Sequence, residues 1–417
     1  MNSLHQMIKS NRFKKMLFIC LFVCVFIYSF IINIIGDARG YYKALGISFV
    51  IFYALYIRNI KKPLSRIHSL VKYSVVSSAI ITCIACVFPE INGGLNSILP
   101  NHFLAHIIII FVGYALWNYN KECFEALLRI IGVVIFISVL FGLFIWIRSY
   151  SDLSFSFWGY SIYGPTRRFN AVYLNPIPAG SVFLVGFWIT TIYKTRWLSF
   201  LQRIIYAFVI FLTQSRSTWI GLVISIILFV LVKRNYYITK YKKIKLIYKI
   251  VGISVIAVLL LAVALVVFLY MPYRFIGMFS GEAYNVRMSY WRYVWALFKQ
   301  EDLFWNIFGH GYGSSKAMML NSPAYYEPYA IIDNGLLTVL YENGAICLLA
   351  LFLVFYRAWL SIKRIDEIGN IKWACGMIVL SLIIPSCFYE IQGWNSPIML
   401  ALISMAPFLN DSRSIDE

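Results

Sequence analysis

Long apolar runs alternate with short basic or polar segments along almost the whole chain, and the runs are long enough to cross a hydrocarbon core about 30 Å thick. The pattern predicts about twelve membrane-spanning helices, near residues 16–35, 41–57, 73–88, 102–118, 126–148, 176–193, 199–214, 217–232, 250–271, 336–358, 372–390 and 396–409. One polar insert interrupts the alternation. It divides the chain into residues 1–271, nine spans with short loops; 272–335, a large extracytoplasmic loop containing an amphipathic helix; and 336–417, three closing spans and a tail. The predicted fold class is an all-α polytopic membrane protein.

A hydrophobic share of 61 % with 13 % charged residues excludes an ordinary soluble domain. The formal charge of +20 does not point to nucleic acid, because the basic residues lie in short segments between apolar runs. With the N-terminus inside, the N-terminal tail and residues 58–72, 118–125, 194–203, 233–249 and 357–372 hold about two thirds of all Lys and Arg. That count puts both termini in the cytoplasm and the insert on the outer face. The basic start runs into Met16–Ile35 with no small-residue cleavage signal after it, so the first span is read as uncleaved. Cys83-Ile-Ala-Cys86 sits at lipid depth without other soft ligands and is read as packing.

Three outer segments carry arginines that topology does not require. The first is Gly164-Pro165-Thr166-Arg167-Arg168-Phe169, leading through Asn175-Pro176 into the sixth span. An Arg pair there suits either anionic head groups or an anionic substrate. The second is Thr213-Gln214-Ser215-Arg216-Ser217, a turn between two apolar spans, where a charge is costly unless it faces a wet cavity or a partner. The third is a helix over Asn285–Gln300 whose apolar face, Val286, Tyr290, Trp291, Val294, Leu297 and Phe298, has Arg287 in its middle. That charge must meet an anion or bend back to water, and the two-pronged guanidinium suits a phosphate.

Asp333-Asn334 stands at the mouth of the tenth span. Asp333 is a candidate proton acceptor there, and both residues are also ordinary N-caps for a helix starting at Gly335 or Leu336. Gly309-His310-Gly311-Tyr312-Gly313 reads as a turn, with a backbone anion nest as the alternative. His102 and His106 are one helical turn apart, but no further ligand stands nearby in sequence, so packing is the reading. Aromatic residues crowd the outer face, either as an interfacial belt or as platforms for sugars. Tyr173, Trp291 and Tyr326, together with Asn334, are the candidate glycan contacts.

The order of these parts resembles the superfamily of bacterial O-antigen polymerases (Wzy) and O-antigen ligases: Arg167-Arg168 before a mid-chain span, the Thr-Gln-Ser-Arg-Ser turn, Asn285-Val286-Arg287, the spaced glycines, and Asp333-Asn334-Gly335 leading to Glu342-Asn343-Gly344. The resemblance covers roughly residues 160–345 and the span count. It implies a membrane glycosyltransferase of the bacterial inner membrane whose active face is periplasmic. The implied substrate is an undecaprenyl-pyrophosphate-linked oligosaccharide, and the implied reaction is a metal-independent inverting transfer without cofactor. Membrane lipids and a chain-length-regulating protein are candidate partners; nucleic acid is not. It implies that Arg167, Arg168, Arg216 and Arg287 hold the pyrophosphate, with Asp333, Arg216 and Arg287 as the catalytic set. Asp at the place where the ligases resemble His-Asn favours a polymerase of O-antigen, capsule or exopolysaccharide. O-antigen ligase is the alternative within the enzyme class, and a lipid-linked-oligosaccharide flippase the alternative outside it.

Overall fold

The structure is a computed structural model that describes residues 11–35, 38–54, 66–88, 100–151, 168–173, 175–233, 282–322, 331–365 and 369–410. Among the described residues, eight helices precede the insert: α1 (Asn11–Ile35), α2 (Ala38–Phe52), α3 (Ser69–Val87), α4 (Pro100–Tyr119), α5 (Lys121–Ser151), α6 (Pro176–Ile189), α7 (Arg196–Leu212) and α8 (Arg216–Val232). The insert supplies α9 (Glu282–Gln300), α10 (Leu303–Phe308) and α11 (Ser314–Leu320). The chain then closes with α12 (Gly335–Arg364), α13 (Ile371–Phe388) and α14 (Asn395–Met405). No β-strand occurs among the described residues, and the protein is an all-α polytopic membrane protein. The predicted span at 250–271 lies outside the described residues.

By length and composition α3, α4, α5, α12 and α13 can cross a membrane, and shorter apolar stretches in α1, α2, α6, α8 and α14 accompany them. Helices are the natural answer to such a chain, since lipid offers no partner to a backbone N–H or C=O. The insert is more structured than a single amphipathic helix: α10 and α11 pack against α12, and α10 also reaches α3.

The innermost helices are α6 and α13. Pro176 opens α6, where a missing N–H costs nothing, and the Asn175 side chain accepts the Ile177 N–H at 2.9 Å. Trp188 of α6, Phe229 of α8 and Trp373 of α13 interlock with ring centroids 5.6–5.9 Å apart. Further along the same pair, Gly221 of α8 lies so close to Ser381 and Pro385 of α13 that an added Cβ would meet them at 3.0–3.1 Å. These two contacts fix an antiparallel register for α8 and α13, which sets Arg216 level with Tyr389 and Glu390.

Outward, the bundle is apolar. Helix α7 is the clearest case, with Ser199, Gln202 and Tyr206 buried while Trp197, Leu198, Phe200 and Phe208 are exposed. In water that arrangement would be an aggregation surface; against acyl chains it is the expected one. Cys83 and Cys86 also lie on the exposed face of α3, so they point outward and do not pack within the bundle as their apolar setting suggested.

Candidate functional site

Helix α9 starts three residues earlier than its periodicity predicted and lays Tyr290 and Val294, both fully buried, against Met318, Met319 and Ile332. Val286, expected on that face, is about half exposed. Arg287 sits one turn before Tyr290 and Trp291, and its charge does meet an anion. Its Nε donates to Asp333 Oδ2 at 2.5 Å, with side chains 34 % and 19 % exposed. The anion is the chain's own carboxylate, brought from 46 residues away.

Asp333 is not the cap of α12. That place belongs to Asn334, whose side chain accepts the N–H groups of Leu336 and Leu337, each at 3.1 Å. Asp333 precedes the cap in a left-handed conformation, φ 57°. Three non-glycine residues have positive φ among the described residues, namely Ala171, Gln214 and Asp333, and all lie in the segments singled out from the sequence. Such backbone costs of order 1–2 kcal/mol each and persists where surrounding contacts impose it, often at functional sites.

Glu390 holds the other side of this joint. Its Oε1 accepts the Ile332 N–H at 2.8 Å and lies 2.9 Å from the Thr338 hydroxyl, tying the end of α13 to the start of α12. Burial pushes its carboxyl up to about 7, and the nearby charge of Asp333 adds to the rise while the hydrogen bonds it accepts oppose it. The apolar pattern does not single out Glu390, because it closes the predicted span at 372–390. A carboxylate on the last residue before a membrane loop, with Gln392 beside it, was the signal available.

The glycine segment is a turn. Gly309, Gly311 and Gly313 all have φ between 81° and 94°, and the His310 and Gly311 N–H groups donate to the carbonyls of Tyr341 and Glu342 at 3.0 and 2.9 Å. Those carbonyls are orphaned because α12 breaks at Gly344, φ 75°. The nest reading is also met in part, with an internal anion: the Gly313 and Ser315 N–H groups and the Ser315 hydroxyl, at 2.6 Å, all turn to the buried Glu342 carboxyl. Tyr312 then spans the cluster, its N–H donating to Thr82 and its hydroxyl to the Gln392 carbonyl, both at 3.2 Å. His310 is stacked between Trp305 and Tyr341 and its Nε2 lies 3.3 Å from Glu301.

Arg168 and Arg216 lie at the same end of the bundle. Arg168 is buried, with Nε donating to the Thr213 carbonyl at 2.9 Å, so it braces the turn that delivers Arg216. Arg216 opens α8 and is half-buried. Arg167 and Tyr326 fall outside the described residues. One candidate glycan contact is corrected. Tyr173 is buried in the core with its hydroxyl 3.3 Å from Ser138, so it has no face for a sugar, whereas Asn334 uses its side-chain oxygen for the cap of α12. Trp291 is half-buried against Phe388. His102 and His106 meet the rings of Tyr42 and Tyr312 edge-on, as packing.

Beneath this cluster lies an apolar cavity of about 220 Å³ between α3, α4, α12, α13 and α14. Gly335, Asn343, Tyr312 and Gln392 line its upper end, Val354 and Met405 its far end. The α12 residues that face it run from Gly335 to Phe355, about 30 Å of helix.

Together these features define a polytopic helical membrane protein with a partly buried charged cluster at one end of its bundle. Residues 203–352 match the family model described as O-antigen ligase (Wzy_C), from within α7 to within α12, so that segment is similar to the O-antigen ligase and polymerase superfamily. The match takes in Arg216, Arg287, Asp333 and Glu342 and leaves Arg168 and Glu390 outside. A search of curated proteins finds no match to the chain.

Proposed function

We propose that the chain is a polysaccharide polymerase that moves a growing glycan from an undecaprenyl-pyrophosphate carrier onto an incoming lipid-linked repeat unit at the outer face of the inner membrane. The observation that carries this reading is the Arg287–Asp333 pair at the mouth of α12. In the transfer, the anomeric C–O bond to pyrophosphate breaks as the acceptor hydroxyl forms a new C–O bond on the opposite face, and the hydroxyl proton must leave. Asp333 takes that proton. Arg216 and Arg287 stabilise the charge developing on the pyrophosphate, and Arg168 keeps Arg216 in place. Nε of Arg287 orients Asp333, so any phosphate contact uses its terminal nitrogens. Fixed positive charge in a site shielded from water is worth several kcal/mol to such a transition state. The polyprenyl chain lies in the apolar cavity below. The chemistry needs neither metal nor nucleotide.

The test is the purified chain in detergent with a lipid-pyrophosphate-linked repeat unit and a chelator, resolved on a gel. A ladder of glycan lengths on the carrier supports the polymerase. One-step transfer seen only after lipid A-core is added replaces it with a ligase. Folded protein that transfers nothing to either acceptor removes the enzyme reading and leaves the flippase.

A further inference from the structure

A second cavity, of about 680 Å³, lies at the opposite end of α12, the end that the charge count assigns to the cytoplasm. Arg66, Lys121, Arg357, Arg364 and Lys372 line it, from four separate stretches of chain, and among the described residues no Asp or Glu lines it. We propose that it is a binding site for a phosphate-bearing anion, the headgroup of an anionic phospholipid.

Topology alone explains basic residues at this end but not their convergence. Lys121 and Arg364 both repel Lys372, and gathering like charges costs free energy unless a counter-ion joins them. Arg357 is buried in the wall, 9 % exposed, and donates to the carbonyls of Phe408 and Asn410. Apolar residues share the lining: Trp117, with the Lys121 ammonium 5.4 Å from its ring, Leu360, Ile371 and Phe408. Cations mixed with apolar surface at the end of spanning helices fit a phosphate that carries acyl chains better than a soluble one, and several cations favour a headgroup with two phosphates.

The experiment uses the full chain in nanodiscs of phosphatidylcholine with a small fraction of fluorescent cardiolipin, reading affinity from energy transfer to the protein. Arg364→Gln and Lys372→Gln are expected to weaken cardiolipin binding about fivefold each, the value of one cation near an anionic headgroup. Lys363→Gln removes the same charge one residue away, where the side chain lies over Trp359 outside the cavity, and is expected to change affinity less than about twofold. Arg357 is left intact because it holds backbone carbonyls. Inorganic pyrophosphate should not displace the lipid; displacement that depends on Arg364 and Lys372 would overturn the lipid source and assign the site to a soluble phosphoanion. Equal loss in Lys363→Gln, or no preference for cardiolipin over neutral lipid, would overturn the site.

Discussion

At the scale of single residues, Asp333 and Asn334 divide two roles that adjacent side chains could each have filled. The Asn334 side chain accepts two helix-end N–H groups, whereas Asp333 accepts from Arg287 and contributes nothing to the cap. The two substitutions should therefore separate. Asp333→Asn keeps a residue that tolerates positive φ, so its thermal midpoint in detergent should stay near wild type while transfer falls by about a hundredfold or more. Asn334→Ala should instead lower stability by about 1 kcal/mol through the lost cap, with a smaller effect on transfer. Wild-type turnover by Asp333→Asn would leave the Arg287 pair a structural contact and move proton acceptance elsewhere, with Glu390 the nearest candidate.

At the scale of elements, the site depends on two joints at the start of α12. The first is the break at Gly344, where α10 and the glycine turn press against the helix. A Cβ on Gly344 would stand 2.2 Å from the Ile307 carbonyl oxygen, and the backbone there is left-handed. Gly344→Ala should cost more than about 3 kcal/mol, seen as a collapse of the thermal midpoint. Gly46→Ala, within α2 and with nothing within 4 Å of the new methyl, should gain about 0.5–1 kcal/mol in the same assay. The second joint is Glu390 on Ile332 and Thr338. Its folded pKa, about 7, lies above the ordinary 4.5, so the unfolded chain releases this proton first as pH rises. The stability it contributes is complete below about pH 4.5, declines between the two values, and is lost above about 7. Hydrogen exchange at the Ile332 and Thr338 amides should quicken across that window beyond its intrinsic pH dependence. Glu390→Gln should abolish the excess; an unchanged excess would show that another group titrates.

At the scale of the whole molecule, what was legible in the sequence followed from the membrane. Apolar runs must be helices and basic loops must sort to one side, so the helical fold and the segments that gather at one end could be read directly. What was not legible were pairings between distant elements. Periodicity marked Arg287 as misplaced on an apolar face but could not say that its anion was Asp333, the Glu342-Asn343-Gly344 run did not show that its carboxyl is buried against the glycine turn, and Glu390 gave no pattern of its own. Nor could any single helix announce the cavity, because its wall is shared by five. That cavity yields a prediction that depends on depth. Val339 lines it one turn below Gly335, near the charged cluster, whereas Met405 lines it near the far end of α14. If a polyprenyl chain occupies the slot, Val339→Trp should obstruct every lipid-linked donor, raising KM for the full-length carrier and for a farnesyl-length analogue alike. Met405→Trp should raise KM only for the full-length carrier, since a short chain ends before reaching it. An enlarged side chain that merely loosens the bundle would penalise both donors at both positions. Equal KM ratios for the two variants would therefore place the carrier outside this cavity, on the lipid-facing surface of the bundle.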